Sequence, residues 1–447
     1  MPIDSTHPMY DKYRQDWENS RDAVGGQRAI KAKGTRYLPR LSGQDEEEYK
    51  AYKERALFYS ITSKTLAALV GMITEKPPTT EYPDAMRQYF DDDYGHQFTE
   101  LVSTAASELM LVSRIGLLVD RPVDGGKPYV SVYTTENIIN WETDASGNLT
   151  WVVLKEEYWA EGNDRYERCL KTRYRELSIV DGRLEVKLFE DSNGVYTAQS
   201  PTTITNTGRV MDKIPFICAT SIGLGIEPVK PTMSDIVDIN ISHYRTSADL
   251  EHGRHFTGLP TPYITGGETN KVLKIGSTAA WIIPDPSAKV GFLEFTGQGL
   301  QSLEKALTEK QGQLASMSAR MIDNSSRGSE AAETVRLRYM SEVSGLKVTA
   351  GVVQALLNAT YQLIASMESI DSSSVKIKMN TDFLESAMSA AELKAWFEVY
   401  QSGGISKDVF VYALRKGQKI DNSITSADFP DLPKAETTSG ENNRSAP

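Results

Sequence analysis

Five histidines and two cysteines among 447 residues leave little material for the commonest catalytic and metal-binding sites. Cys169 and Cys218 lie far apart with no CxxC spacing. That excludes a disulfide framework and fits a reducing compartment. Nowhere do about eighteen apolar residues run together, so no membrane span is expected. The start, MPIDSTHPMYDKYRQDW, has no apolar core of the kind a secretory leader carries. There is no basic excess either: 49 Lys and Arg face 60 Asp and Glu, a net charge of −11. A protein that holds DNA tightly needs a basic face to displace phosphate counterions, so tight DNA binding is not expected. A duplex that merely slides past is compatible with this charge.

Signature motifs are also missing. No GxxxxGK[ST] loop is present, and no GxGxxG opens a helix after a strand. Gly223 to Pro228 reads GLGIEP and lacks the third glycine. No GxSxG elbow occurs. Two clusters stay in view. His252 and His255, three apart in HGRH, fall on one helix face, with Asp249 or Glu251 as a candidate third ligand. They carry the alternative of a metal-dependent hydrolase, against the blander reading of helix-end histidines beside a glycine. Asp91, Asp92 and Asp93 read as a solvated helix end before they read as a metal cluster. No metal, cofactor or catalytic residue is expected, and the chain is not read as an enzyme.

What is present is a clear order of elements. Met9 to Val24 has helical spacing, with Tyr10, Tyr13 and Trp17 among its apolar positions. Aromatics at that period indicate core before base stacking. Ser42 with Asp45 forms a candidate capping box. Behind it Tyr49, Tyr52, Ala56 and Tyr59, then Leu66, Leu69 and Ile73, recur at helical spacing until Pro77 and Pro78. Asp84 to Arg114 reads as helical. From Ile115 to about Ile217 the pattern becomes that of an antiparallel meander, with Asp181–Gly182 suited to a type I′ turn. Ser234 to Phe256 returns to helix. Leu259 to Phe295 is a short element rich in Pro and Gly turns.

Two long helical stretches follow. Leu303, Leu307, Lys310, Leu314, Met317 and Met321 keep a four-three spacing, a seam interrupted once by Lys310. Ser329 to Met367 contains no proline, and Gly345 and Gly351 are its candidate kinks. Between the two stretches lies the polar break Asp323, Asn324, Ser325, Ser326, Arg327, Gly328 and Ser329. SAAELKAWFEVYQSG and SKDVFVYALRKG read as a final helix pair, and the composition after about Asp421 reads as disordered.

This order resembles the portal proteins of tailed double-stranded DNA phages, the head-to-tail connectors. Local phrases carry the resemblance: YLPRLSGQDEEEYKAYKERALFYSITSKTLAALVGMI, GLPTPYITG, LEFTGQGLQSLEKAL, EAAETVRLRYMSEVSGL and SGGISKDVFVYALRKG. None is catalytic, and the specificity lies in their order. The resemblance implies an α+β portal fold, with long helices lining the axial channel of a ring. It implies a wing at 1–230, a first stem helix at 231–257, a clip at 258–298 and a second stem helix at 299–322. A tunnel loop at 323–329, a long wing helix at 330–370, a crown at 371–420 and a tail at 421–447 complete it.

The implied partners are copies of the same chain, usually twelve, and a large terminase or a head-tail adaptor docked on the clip. The clip candidates are Tyr263, Ile264, Trp281, Ile283, Pro284 and Asp285. A major capsid or scaffolding protein, and double-stranded DNA held weakly, complete the set. The implied location is the portal vertex of a virion, assembled in a host cytoplasm. Another virion ring component, such as an adaptor, is the nearest rival reading. Twelve copies would carry a formal charge of about −130, a field that guides a duplex without binding it. Arg327, among small polar neighbours, is the expected phosphate contact.

Overall fold

A computed structural model describes residues 2–91, 97–122, 126–162, 164, 166–192, 195–206, 209–258, 261–266, 286–293, 298–322, 332–381, 383, 390–416, 419–420 and 424–428. The chain forms two units, Met1–Thr381 and Asp382–Pro447. Helices and antiparallel sheets are both abundant in the first unit, an α+β arrangement.

Helix α1 (Pro8–Ala32) runs eight residues beyond the expected Val24. It bends at Gly26, whose φ of 77° suits glycine and whose place against Ser60 leaves little room for a side chain. Tyr10 and Trp17 are buried, as core aromatics should be. Helix α2 (Glu46–Arg55) begins later than the expected Ser42 cap. Gly43, at φ 80°, turns the chain back, and Gln44 N–H donates to the Leu41 carbonyl. The capping box is therefore Asp45 with Glu48. Ala56 leaves the helical region at ψ 136°, so Tyr59 drops out of register and is half exposed.

Helix α3 (Ile61–Thr74) buries Leu66, Leu69 and Ile73. The expected helix from 84 to 114 is instead a 3-10 turn, Asp84–Tyr89, and helix α4 (Gln97–Leu111). Ser113 then takes φ 59°, which ends the helix and releases Arg114 into the first strand of a sheet.

Short strand β1 (Thr79–Glu81) precedes α4. Four strands form one sheet in the order β12-β11-β2-β3: β2 (Arg114–Asp120), β3 (Tyr129–Thr134), β11 (Phe216–Thr220) and β12 (Gly223–Leu224). A second sheet is a plain meander: β4 (Ile138–Thr143), β5 (Leu149–Glu161), β6 (Arg168–Val180), β7 (Arg183–Ser192) and β8 (Val195–Ala198). Asp181 and Gly182 both have positive φ, 49° and 73°, as the expected type I′ turn requires. Strands β9 (Thr205–Asn206) and β10 (Arg209–Val210) pair with each other.

Partly buried ion pairs tie these layers together. Arg21 on α1 donates to both carboxylate oxygens of Glu108 on α4, at 2.7 and 2.6 Å, and to Glu136 at 2.8 and 3.1 Å. Glu156 on β5 accepts from Arg173 and Arg175 on β6, both at 2.6 Å, and from the Tyr133 hydroxyl on β3 at 2.5 Å. Arg175 also reaches Asp120 on β2 at 2.9 Å, which stitches one sheet to the other.

The remaining helices of this unit are α5 (Ser234–Gly258), α6 (Gln298–Ile322) and α7 (Ala332–Met367), with a hairpin of β13 (Thr261–Thr265) and β14 (Lys289–Leu293) between α5 and α6. Helix α7 passes through Gly345 and Gly351 without interruption and spans about 54 Å. Its stretch Ser344–Met367 is long and apolar enough, by length and mean composition, to cross a membrane, though polar residues interrupt it throughout. It is a core helix here: Val353, Leu356, Leu357, Tyr361 and Ile364 are buried against the body. Strand β15 (Lys376–Lys378) pairs with β1 and so lies in the first unit.

The second unit contains α8 (Ala390–Gln401) and α9 (Lys407–Lys416), the expected helix pair. Phe410, Ala413 and Leu414 form its small core with Leu393, Tyr400, Ile405 and Ile420.

Candidate functional site

The most distinctive feature of the first unit is a limb made of α5, the β13–β14 hairpin and α6. Each helix has 25 residues, or about 37 Å. The first two-thirds of α5 is buried, because α1, α2 and α3 pack on it. Val237, Ile241, Tyr244 and Ala248 join Tyr37, Leu38, Tyr49, Tyr52 and Phe58 in one core. The Tyr52 hydroxyl donates to Asp249 at 2.5 Å. Beyond that point Arg254, His255 and Phe256 are exposed, and α5 has α6 as its companion.

The two helices run antiparallel in a continuous register. The middle turns of α5 meet the later turns of α6, and its last turns meet the first turns of α6: His243 with Gln311, Thr246 with Lys310, Gly253 with Leu300, Arg254 with Glu304. A Cβ at Gly253 would sit 2.5 Å from Leu300 Cδ2, so glycine permits the close approach. Of the seam residues, Leu314 is fully buried, and Leu303, Leu307, Lys310 and Met317 are half-buried. Lys310, which interrupts the apolar spacing, donates to the Ser242 carbonyl at 3.3 Å and to the Thr246 hydroxyl. A cation inside the seam thus ties α6 to the backbone of α5. Nearby His243 is fully buried. Gln311 Nε2–H can only donate, so His243 Nε2 accepts and Nδ1 carries the proton. Burial, and then the Lys310 charge, hold this imidazole below its ordinary value.

The outer face of α6 is polar. Gln301, Lys305, Thr308, Glu309, Gly312 and Gln313 are exposed, and Lys305 pairs with Glu309 within the helix at 4.0 Å. Arg254 of α5 bridges Glu251 at 3.1 Å and Glu304 of α6 at 2.8 Å.

The hairpin at the end of the limb is a two-stranded sheet. The Tyr263 ring lies over Gly291, where a Cβ would come within 2.9 Å of it. Its other face carries Phe292, in register with Pro262, and Val290, in register with Ile264. Phe292 is 57% exposed and Val290 52%. Two strands alone are marginal in water, and both outer edges of this pair lack a further strand among the described residues. Such a hairpin, with large apolar side chains in solvent, is built to meet another surface.

Of the expected clip residues, Tyr263 and Ile264 are on this hairpin. Trp281, Ile283, Pro284 and Asp285 lie outside the described residues. So does the whole expected tunnel loop, Asp323, Asn324, Ser325, Ser326, Arg327, Gly328 and Ser329.

Of the two candidate metal-ligand histidines, His255 lies edge-on to Phe256. His252 sits edge-on to Tyr52 and Phe256, with Arg55 Nη2 at 3.4 Å from its Nδ1. Asp249 is taken by Tyr52 and Glu251 by Arg254. Among the described residues no group of three or more His, Cys, Asp or Glu is arranged to hold a metal ion. Asp91 pairs with Arg87 at 2.7 Å, while Asp92 and Asp93 are outside the described residues. The contacts of Lys310 and His243, and that of Arg254 with Glu304, are not announced by local pattern because these partners lie about fifty residues or more away.

Residues 232–367 match a family model described as "Domain of unknown function (DUF4055)". The match starts two residues before α5 and ends with the last residue of α7, so it takes in the limb and the long helix. No curated protein matches the chain. Among solved structures, a chain of "Neck of empty GTA particle computed with C6 symmetry" aligns at 12% identity over 88% of this chain and 99% of that one, with a TM-score of 0.42. A chain of "Virion of native gene transfer agent (GTA) particle" aligns at 12% identity with the same coverage and a TM-score of 0.38.

Proposed function

We propose that the chain is a portal protein: a subunit of a ring at one vertex of a tailed-phage type of particle, through which double-stranded DNA enters and leaves. The observation that carries this reading is the limb. Two antiparallel helices of equal length hold out a hairpin whose apolar face has no cover among the described residues, and a 36-residue helix then returns through the body. In a ring each hairpin would meet its neighbour head to tail, the contact type that closes into a cycle. The polar outer face of α6 would then border the channel. An acidic chain, repeated about twelve times, would let a duplex pass without gripping it.

In this reading α5 and α6 are the stem and the hairpin belongs to the clip, where a large terminase docks during packaging and a head-tail adaptor afterwards. The body is the wing, facing capsid or scaffolding protein. Residues 323–329 form the tunnel loop, with Arg327 as its phosphate contact. The chain itself performs no catalysis, and its place is the portal vertex of the virion.

Negative-stain microscopy of the purified chain tests the proposal. Rings with an axial hole of duplex width are expected. A monomer that persists at high concentration, and on incubation with scaffolding or capsid protein, overturns it. Within assembled particles, Arg327→Glu should leave rings intact and alter DNA packaging or retention. Unchanged genome length and retention would remove Arg327 from the channel.

A further inference from the structure

A cavity of about 350 Å³ lies where the turn at residues 41–44, helix α2 and the last turns of α5 meet. Ser42, Gln44, Glu48, Arg55, His252 and His255 contribute to its wall. Its charges are unevenly matched. The acids around it are engaged: Glu48 accepts from the Asp45 backbone N–H, Asp249 from Tyr52, and Glu251 from Arg254. The guanidinium of Arg55 has no carboxylate partner among the described residues, and its buried Nε has no hydrogen-bond partner.

The second observation is what faces that guanidinium. Arg55 can only donate, so His252 Nδ1, 3.4 Å from Arg55 Nη2, accepts and the ring proton sits on Nε2. Burial, then the Arg55 charge, hold His252 below its ordinary value, Asp249 pulls the other way, and His255 adds to the lowering. One guanidinium and two imidazoles therefore share one cavity wall, with one carboxylate, Glu48, already tied to its helix cap.

We propose that this cavity binds a phosphate group, free or carried on a nucleic-acid backbone. Donors from Arg55, His252 and His255 suit an anion with oxygens on several sides better than a planar carboxylate. The cavity also exceeds what one carboxylate fills. The site lies at the base of the limb, against α2, and does not rest on the portal reading.

Isothermal titration of the full chain with inorganic phosphate, against sodium chloride of equal ionic strength, tests it. Saturable binding is expected, weakened at least about tenfold by Arg55→Gln. No phosphate heat in the wild-type chain, or equal affinity in the variant, overturns the proposal. If Arg55→Gln does not fold, the exposed His255→Asn serves in its place: a severalfold weakening supports the site, and unchanged affinity overturns it. A short duplex titrated against the phosphate-saturated chain identifies the source. Competition assigns the site to a nucleic-acid backbone, and no competition assigns it to free phosphate.

Discussion

In the body, Arg21 of α1 lies against Glu108 of α4 and Glu136 of the turn at Thr135–Asn137, and Glu108 has only 9% of its side chain in solvent. In the limb, Arg254 meets two carboxylates with about half of its side chain, and of Glu304's, in water. The sequence elements are the same and the energetics are opposite. A buried pair is expensive to break, because the survivor is left charged and dry. An exposed pair is screened and contributes little. The body is thus fixed by its charges, while the limb is fixed by its helix seam and leaves its charged and apolar tips available to something else.

Breaking the body should therefore give the largest effect on folding. Arg21→Ala strands Glu108 and Glu136 together and should destabilise the first unit by about 3 kcal/mol, read as a lower urea midpoint at constant slope. Acid tests the same region. Burial pushes Glu136 up, but the hydrogen bonds and charge of Arg21 outweigh it and leave the carboxyl below its ordinary 4.5. Glu156 is likewise pushed up by burial and brought below 4.5 by Arg175, Tyr133 and Arg173. Groups depressed in the folded state add stability that is present above about pH 4.5 and is lost as pH falls through their folded values. Circular dichroism against pH should show body unfolding only below that range, and Arg21→Ala should move the transition to higher pH.

These partnerships explain why the fold was only partly legible. The helical seam of α6, the Asp181–Gly182 turn and the meander are local patterns, set by period and by backbone preference. Arg21 meets Glu108 and Glu136 across 87 and 115 residues, and no local pattern announces such a meeting. The α2 cap was misplaced by three residues because Ser42 and Asp45 both fit a cap, and the turn at Gly43 decides between them. In the limb, the seam residues were legible by spacing, but Lys310 read as a flaw. Its partners are the backbone and a hydroxyl of α5, which composition does not reveal.

Lys310 sharpens the comparison at the seam. Its amine is half-buried with neutral acceptors, so Lys310→Met exchanges two hydrogen bonds for apolar contact and should change stability by less than about 1 kcal/mol. The informative readout is His243. Its value should rise when the Lys310 charge is removed and yet stay below 6.5, because burial is the larger cause. Histidine carbon chemical shifts followed through a pH titration would show it. No movement would mean that the Lys310 charge is not felt at His243. Arg254→Ala, at the exposed end, should cost about 0.5 kcal/mol or less, and the difference should vanish in high salt. A loss as large as that of Arg21→Ala would erase the distinction between body and limb.

The smallest effect on folding is expected where the proposed effect on assembly is greatest. Phe292 is 57% exposed on β14, opposite Pro262, on the uncovered face of the hairpin. Phe292→Glu removes no buried contact of consequence, so thermal unfolding of the monomer should move by no more than about 0.5 kcal/mol. If the hairpins meet around a ring, the same change buries a carboxylate at each junction and repeats that cost at every subunit. Sedimentation should then show rings lost or reduced to small oligomers while circular dichroism stays native. Val290, on the same face and 52% exposed, should behave alike when changed to Glu. Intact rings in both variants would show that the apolar face meets no neighbouring copy, and a docked partner at the end of the limb would then be its occupant. Monomer destabilisation as large as that of Arg21→Ala would instead show the hairpin to be part of the body's own core.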